Sequence, residues 1–370
     1  MYSESDLEAA VAGGVLTQAQ AASFRNFVAA GQHSPAVDEE HFRLLTGFND
    51  IFVAIAAAIL LVAVGWIGHY VPPNVNGDGP SPFSGLFVAA TAWGLAEYFT
   101  RQRRMALPSI LLLLAFTGGV FTTSLFTMVT AIGTHYLDHN AQAGAIVIAA
   151  SAAIAAAGAW LHWRRFKVPI TIAVGVAAGV ALVLGLIASA FVQPEMTDAA
   201  GAQLKNVLLV ASLVLGIGTF LVAMRWDASD PTRETRRSDV AFWLHLLAAP
   251  LIVHPVFELL GLTRGAATTL DAVLVIGLYI GLGLVALAID RRALLVSALA
   301  YVLFALNSLF QTYGAVELSV ALTALVIGSA LLLLSAFWAS ARRRVVTPLP
   351  DGLRGKLPVL DRVRVAVAAT

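Results

Sequence analysis

Long apolar segments separated by short polar turns follow one another along most of the chain, after a polar N-terminal segment. Each segment is close to the ~20 residues that an α-helix needs to cross the hydrocarbon core of a bilayer. The pattern therefore predicts ten membrane-spanning helices. We place them at about 48–70, 83–100, 106–133, 142–161, 168–192, 204–224, 240–261, 268–289, 293–313 and 316–339.

The turns between these segments alternate between arginine-bearing and nearly free of positive charge. All but two of the 23 Lys and Arg residues fall in the terminal segments or in the arginine-bearing turns, which lie on one side of the predicted membrane. The exceptions are Lys205 and Arg264. Short cytoplasmic loops of membrane proteins collect Lys and Arg. The bias predicts that both termini lie in the cytoplasm. The scarcity of Lys beside abundant Arg and Ala is typical of a bacterium with a GC-rich genome, so we expect a bacterial cytoplasmic (inner) membrane.

Composition agrees with one membrane domain. Hydrophobic residues make up 59% of the chain and charged residues 12%, whereas a soluble domain carries about 25% charged residues. The net charge of +1 gives no reason to expect nucleic acid, and the absence of cysteine excludes disulfides and cysteine metal sites. The predicted fold class is all-α, a polytopic transmembrane helix bundle.

The predicted domains are a cytoplasmic helical pair with a linker at 1–45, a ten-helix membrane domain at 46–340 and a basic cytoplasmic tail at 341–370. Thr17 and Gln20 have the spacing of a capping box, which predicts the start of the second short helix. Two short helices bury little apolar surface. We therefore expect them to dock on the membrane domain or on a cytoplasmic protein partner.

Small residues indicate which spans lie inside the bundle, because they let helix backbones approach closely. Span four, from Gly144 to Gly158, consists mostly of alanine, glycine and other small residues, and spans five and eight contain glycine pairs four apart. The pairs are Gly175 with Gly179 and Gly277 with Gly281.

Span seven carries an unusual number of polar residues and two prolines, Pro250 and Pro255. Each proline leaves a backbone carbonyl unpaired one turn earlier, so we expect a kink or break. His254 and Glu258 share one face, as a ligand pair or an acid–base pair would. His245 lies on the opposite face of a straight helix, and no third ligand is evident. We predict no metal and no cofactor, and histidines that bond to neighbouring helices.

Depth along the spans suggests a second feature. At ~1.5 Å per residue, His254, Asn307 and Thr122 lie about 21–23 Å from the cytoplasmic ends of their helices. The polar residues nearby are Glu258, Gln311, Thr123 and Thr127. We predict a polar chamber that opens to the outside, walled by spans three, seven and nine. In the alternative, each polar side chain bonds separately to a neighbour or a backbone carbonyl, as threonines do in membrane helices.

Two stretches carry a resemblance to known proteins. They are Gly14-Val15-Leu16-Thr17-x-x-Gln20-Ala21 and the segment 242–250, Phe-Trp-Leu-His-Leu-Leu-Ala-Ala-Pro. With the serial hairpins, the layout resembles a broad family of uncharacterised bacterial multi-pass membrane proteins. The resemblance implies the architecture and no established activity.

Three classes of function remain open. The leading hypothesis is a non-enzymatic membrane protein that binds or passes a small solute or lipid through the polar chamber. The second is a membrane enzyme that acts on a lipid-type substrate with His254 and Glu258. The third is a scaffold or sensor acting through its N-terminal helices. The sequence contains no phosphate-binding loop, zinc-protease helix or nucleophile elbow.

Overall fold

The computed structural model describes residues 4–24, 48–193, 197–231, 233, 235–261, 269–292, 294–295, 299, 302–303, 306–307, 319–355 and 357–360. Within these residues the chain is helical and contains no strand. In chain order the helices are α1 Glu4–Ala12, α2 18–24, α3 Phe48–His69, α4 Pro82–Ala96, α5 Ala106–Ile132, α6 Thr134–Asp138, α7 Ala141–Phe166, α8 Ile170–Phe191, α9 Asp198–Ala228, α10 Arg236–Leu259, α11 Thr269–Ile289, α12 Ser319–Ala336, α13 Trp338–Val346 and α14 Asp351–Arg354.

The capping box predicted at the start of α2 is confirmed. The backbone N–H of Thr17 donates to Oε1 of Gln20 at 2.9 Å, and the backbone N–H of Gln20 donates to Oγ1 of Thr17 at 3.2 Å. This reciprocal bonding satisfies two N–H groups that a helix start otherwise leaves unpaired.

In the part of the chain that the structure describes, six helices are long and apolar enough to cross a membrane: α3, α5, α7, α8, α9 and α10. A seventh candidate is formed by Ala321–Ala336 of α12 with α13, which are bent by 74° from each other. α4 has 15 residues and runs directly into a π-helical turn, Glu97–Gln102. The chain is therefore a helical protein suited to crossing a membrane several times. Its count of ten spans stays a prediction, because the ninth is described at only a few positions.

Small residues bring the first helices together. An ideal Cβ at Gly85 of α4 would lie 2.6 Å from the carbonyl oxygen of Gly119 on α5, and one at Gly119 would lie 2.6 Å from the carbonyl oxygen of Gly85. Only glycines allow two backbones to approach this closely. α7, the alanine-rich predicted span four, packs between α5 and α8. There a Cβ at Gly185 would lie 3.0 Å from Cβ of Ala149.

The two predicted glycine pairs differ in whether another helix lies close to them. A Cβ at Gly175 would lie 3.7 Å from Cβ of Ala159, which places this glycine at the α7–α8 contact. No described atom lies within 4 Å of a Cβ at Gly179, Gly277 or Gly281. The close contact expected at the pair in span eight is therefore not formed by the described residues.

α10 is the central helix of the second half. It packs along α9 and against α8. Further along the chain, a core cluster joins Val253 and Phe257 of α10 to α11, to Val302 and Leu306 and to α12. A second cluster joins Ala249 to the end of α11 and to Trp338 of α13. The polar residues of α10 thus lie where most of the later helices meet.

Candidate functional site

One end of the bundle carries the basic turns near Arg165, Arg225 and Arg291, and we call it the arginine-rich end. Here Asp227, the penultimate residue of α9, is almost completely buried. Its carboxylate accepts hydrogen bonds from the guanidinium of Arg291, just beyond α11. The same guanidinium donates to the backbone carbonyl of Ser238 at 3.0 Å. One ion pair therefore ties together the ends of α9, α10 and α11.

His245 extends this pair into the bundle. Its side chain is fully buried, and its Nε2 lies 3.0 Å from Oδ2 of Asp227. An ionised carboxylate can only accept, so Nε2 carries the proton of this hydrogen bond. Nδ1 of His245 has no hydrogen-bond partner in the described part of the chain. The expectation that a histidine of span seven bonds to a neighbouring helix is confirmed, and the ring packs against Phe220.

Asp290 is another buried carboxylate at this end. Arg233 donates to its Oδ2 at 3.0 Å, Nε1 of Trp338 donates to its Oδ1 at 2.8 Å, and Nε of Arg342 lies 3.7 Å from Oδ1. Arg233 also donates to the backbone carbonyls of Ile289 and Asp290 at 3.1 Å, which caps the end of α11. Asp290 thus links the α9–α10 turn, α11 and α13.

Arg342 carries the network into the C-terminal segment. Its side chain is buried, and its guanidinium donates to the carbonyl of Pro358 at 2.6 Å and to that of Val359 at 3.3 Å. We call Asp227, His245, Arg291, Arg233, Asp290, Trp338 and Arg342 together the charge cluster. The predicted basic tail therefore begins inside α13, where its first arginine is part of the packed structure.

Sequence reasoning missed most of the charge cluster, because Asp290 and the arginines lie at span ends where water normally reaches them. Their pairing joins residues far apart in the chain, such as Asp227 and Arg291. The available signal was Asp227, a carboxylate at the end of an apolar helix one loop before His245. Neither residue alone specifies the partner.

Glu97 shows a related pattern in the first half. Its carboxylate forms an ion pair with Arg101, one helical turn later, at 3.4 Å. Arg165 of α7 approaches more closely and donates two hydrogen bonds to the same carboxylate, at 2.7 and 2.8 Å. The ion pair within the turn is thus accompanied by a bidentate one between helices.

The opposite end of α10 holds two of the predicted chamber residues. Nζ of Lys205 on α9 lies 2.5 Å from Oε2 of Glu258, so a cation on the neighbouring helix neutralises this carboxylate. His254 lies one turn earlier at an exposed position. Among the described residues, no group of three or more His, Asp or Glu side chains is placed to hold a metal ion.

The helix break expected at Pro250 and Pro255 is corrected by the structure: α10 runs through both prolines as one helix. Pro255 lacks the N–H that would bond to the carbonyl of Leu251. The hydroxyl of Ser212 on α9 donates to that carbonyl at 3.4 Å. Neighbouring helices commonly satisfy freed carbonyls in this way, which is why proline is tolerated in membrane helices.

The threonines of α5 bond within their own helix. The hydroxyls of Thr122, Thr123 and Thr127 donate to the carbonyls of Gly118, Gly119 and Thr123 at 2.9, 2.7 and 2.7 Å. Oγ1 of Thr122 also lies only 2.4 Å from where a Cβ on Gly85 would sit, so this side chain packs against α4. These hydrogen bonds are of the kind expected if each polar side chain bonds separately to a backbone carbonyl instead of lining a shared chamber. α5 itself packs mainly with α3, α4 and α7.

Asn307 differs from these threonines in its packing and in its hydrogen bonding. Its neighbour Leu306 packs with Val253 and Phe257 of α10, which brings predicted spans seven and nine together near the expected level. Oδ1 of Asn307 is buried and has no hydrogen-bond partner in the part of the chain that the structure describes. Gln311, the other chamber residue predicted on this span, lies outside the described residues.

Two further buried hydroxyls lie beside the same core cluster and were not predicted. Oη of Tyr279 on α11 and Oγ1 of Thr323 on α12 also lack hydrogen-bond partners among the described residues. Tyr279 packs directly against the cluster, and Thr323 lies one turn before its member Ile327. Unsatisfied buried polar atoms are rare in native proteins, and a bound water or ion is one of the explanations for them.

Comparison with known protein families, with characterised proteins and with solved structures found no match. The resemblance to a family of bacterial multi-pass membrane proteins therefore stays a prediction.

Proposed function

We propose that this protein binds or passes a small solute or lipid through a polar chamber enclosed by α10, α11, residues 302–303 and 306–307, and α12. The observation that supports this most is the buried Oδ1 of Asn307, which has no hydrogen-bond partner among the described residues. It lies next to Leu306, which packs against α10 one residue from His254. This chamber keeps spans seven and nine of the sequence-based prediction and replaces span three with α11 and α12.

The chemistry of the unpaired groups favours an uncharged polar ligand. Asn307 offers an unpaired acceptor, while the hydroxyls of Tyr279 and Thr323 can each donate or accept. A buried polar atom without a partner costs ~1–3 kcal/mol. A ligand that carries hydroxyl groups would recover this free energy at each of these positions that it reaches. The neighbouring carboxylate of Glu258 is neutralised by Lys205 and adds no net charge.

We further propose ten spans in a bacterial inner membrane, with both termini in the cytoplasm and the chamber opening outward. One-sided placement of Lys and Arg supports this orientation. Asn307, Glu258 and Lys205 lie toward the ends of their spans opposite the charge cluster. In this orientation those ends face the outside.

Cysteine accessibility tests this proposal, because the chain contains no cysteine of its own. In membrane vesicles of known orientation, we expect Asn307→Cys to react with a membrane-impermeant thiol reagent added from outside. Leu306→Cys is the matched control, since Leu306 is buried in the apolar cluster and should stay unreactive. Thr122→Cys should also stay unreactive, because Thr122 packs against α4.

An unreactive Asn307→Cys in a protein that elutes as a single folded species would overturn the chamber. Reaction at both Asn307→Cys and Thr122→Cys would restore the wall predicted from span three. Reaction from the cytoplasmic side alone would reverse the proposed orientation.

A further inference from the structure

The charge cluster and the proposed chamber lie at different levels of the same helix. His245 and His254 are nine residues apart on α10, about 14 Å along the helix axis. Between them, Ala248, Ala249 and Val253 are at most 2% exposed. A packed layer around Ala249 therefore lies between the level of Asn307 and the buried ions at the arginine-rich end.

The charge cluster joins several elements at a single place. Asp227 and Arg291 connect α9 with the end of α11, while Asp290 connects Arg233 of the α9–α10 turn with Trp338 of α13. Most of these links are ion pairs and hydrogen bonds. Such links can break when water enters and re-form when it leaves, because water solvates the separated ions.

The C-terminal segment is held at the same place. The carbonyls of Pro358 and Val359 accept from Arg342, whose Nε faces Asp290. α13 also departs by 74° from the line of α12, which carries this arginine across the ends of the other helices. Residues 357–360 are thus fastened to the bundle by an arginine that Asp290 orients.

We propose that the charge cluster is a latch that shuts the cytoplasmic end of the bundle below the chamber, and that residues 357–360 are a strap held by it. Asp290 is the positioning residue, because it contacts Arg233, Trp338 and Arg342 together. When the contacts of Asp290 with these three side chains break, α13 and the α9–α10 turn are freed together. The layer around Ala249 is then exposed to the cytoplasm. The assignment of this end as the cytoplasmic gate rests on the proposed function.

A cysteine at Ala249 reports directly on the latch. Ala249 is fully buried and packs in the same cluster as Trp338. In the otherwise unchanged protein, we expect Ala249→Cys to be unreactive toward a membrane-impermeant maleimide from either side. Adding Asp290→Asn should raise its labelling from the cytoplasmic side at least about tenfold, which corresponds to a shift of ~1.4 kcal/mol between closed and open states.

A matched cysteine separates local opening from general unfolding. Ala92 is equally buried but lies in the first-half core, so Ala92→Cys should stay unreactive when Asp290→Asn is added. Glu97→Gln removes a different ion pair at the same end and should leave Ala249→Cys unreactive. If Asp290→Asn does not fold, Trp338→Phe removes one hydrogen bond to Asp290 while keeping an aromatic ring, and a smaller increase is expected.

Unchanged labelling of Ala249→Cys in folded Asp290→Asn, or in folded Trp338→Phe, overturns the latch. Equal labelling at Ala92 and Ala249 also overturns it, because the change is then general loosening. These outcomes do not depend on any ligand. The labelling of Ala249→Cys can therefore overturn the latch while Asn307→Cys remains accessible from outside. Conversely, an unreactive Asn307→Cys can overturn the chamber while the labelling of Ala249→Cys still supports the latch.

Discussion

Gly216 of α9 lies against the backbone of Leu251 on α10, at the carbonyl that Pro255 leaves without a helical partner. An ideal Cβ on Gly216 would lie 2.9 Å from the carbonyl carbon, the oxygen and Cβ of Leu251. One turn earlier, Ser212 donates to the same oxygen. A glycine and a serine on one helix thus accommodate a proline on the next.

We expect Gly216→Ala to lower the free energy of unfolding by ~1–3 kcal/mol, because the added methyl group must push two helices apart. Thermal unfolding in detergent measures the effect. Gly218→Ala is the control, since no described atom lies within 4 Å of its Cβ. There alanine should be neutral or stabilising by up to ~1 kcal/mol. Equal effects at both glycines would argue against the close contact.

The contact between α4 and α5 makes a similar prediction. Gly119→Ala would place a methyl group 2.6 Å from the carbonyl oxygen of Gly85 and should lower the melting temperature. Gly118→Ala, one residue earlier, meets no described atom within 4 Å and should leave the melting temperature nearly unchanged. The result would be inconsistent with this helix pairing if Gly118→Ala were the more damaging variant.

The buried pair of Asp227 and Arg291 predicts strong coupling. Arg291→Gln should destabilise the protein by ~3–5 kcal/mol, because it leaves the carboxylate of Asp227 buried without its cation. Adding Asp227→Asn should recover part of this loss, since two neutral side chains can share a hydrogen bond. Arg237→Gln, at an exposed position of α10, is the control. Additive effects of the two cluster substitutions in thermal unfolding would show that the pair is not coupled.

Arg342 predicts how firmly the C-terminal segment is held. Arg342→Lys replaces a planar guanidinium, which reaches two carbonyls at once, by a single ammonium group. Hydrogen exchange at residues 357–360 should become faster, because fewer contacts hold the segment closed. Arg344→Lys changes an exposed arginine of the same helix and should leave exchange unaltered. Identical exchange in both variants would mean that other contacts hold the segment.

The spans were predictable because crossing a membrane is a local requirement. A window of about 20 apolar residues specifies a helix by itself, and the expected 48–70 and 106–133 correspond closely to Phe48–His69 and Ala106–Ile132. The capping box at Thr17 was equally local. That the helix continues through Pro255 could not be predicted from nearby residues, because Ser212 on another helix donates a hydrogen bond to the carbonyl that the proline leaves free.

The candidate site was predictable only in part. Depth along the helices brought His254 and Asn307 to one level, and the packing of Leu306 against Val253 agrees with it. Depth contains no information about direction around a helix axis. It therefore grouped Thr122 with these residues, although Thr122 packs against Gly85.

The sequence by itself determined a helical chain with apolar spans and positive charge gathered at one end, since hydrophobicity and loop charge act within a few residues of each position. Only the tertiary structure decided which helices meet. It paired Asp227 with Arg291, fastened Pro358 to Arg342 and left Oδ1 of Asn307 without a hydrogen-bond partner among the described residues. These relations depend on how rotated helices pack side by side, and residues distant in the chain set that packing.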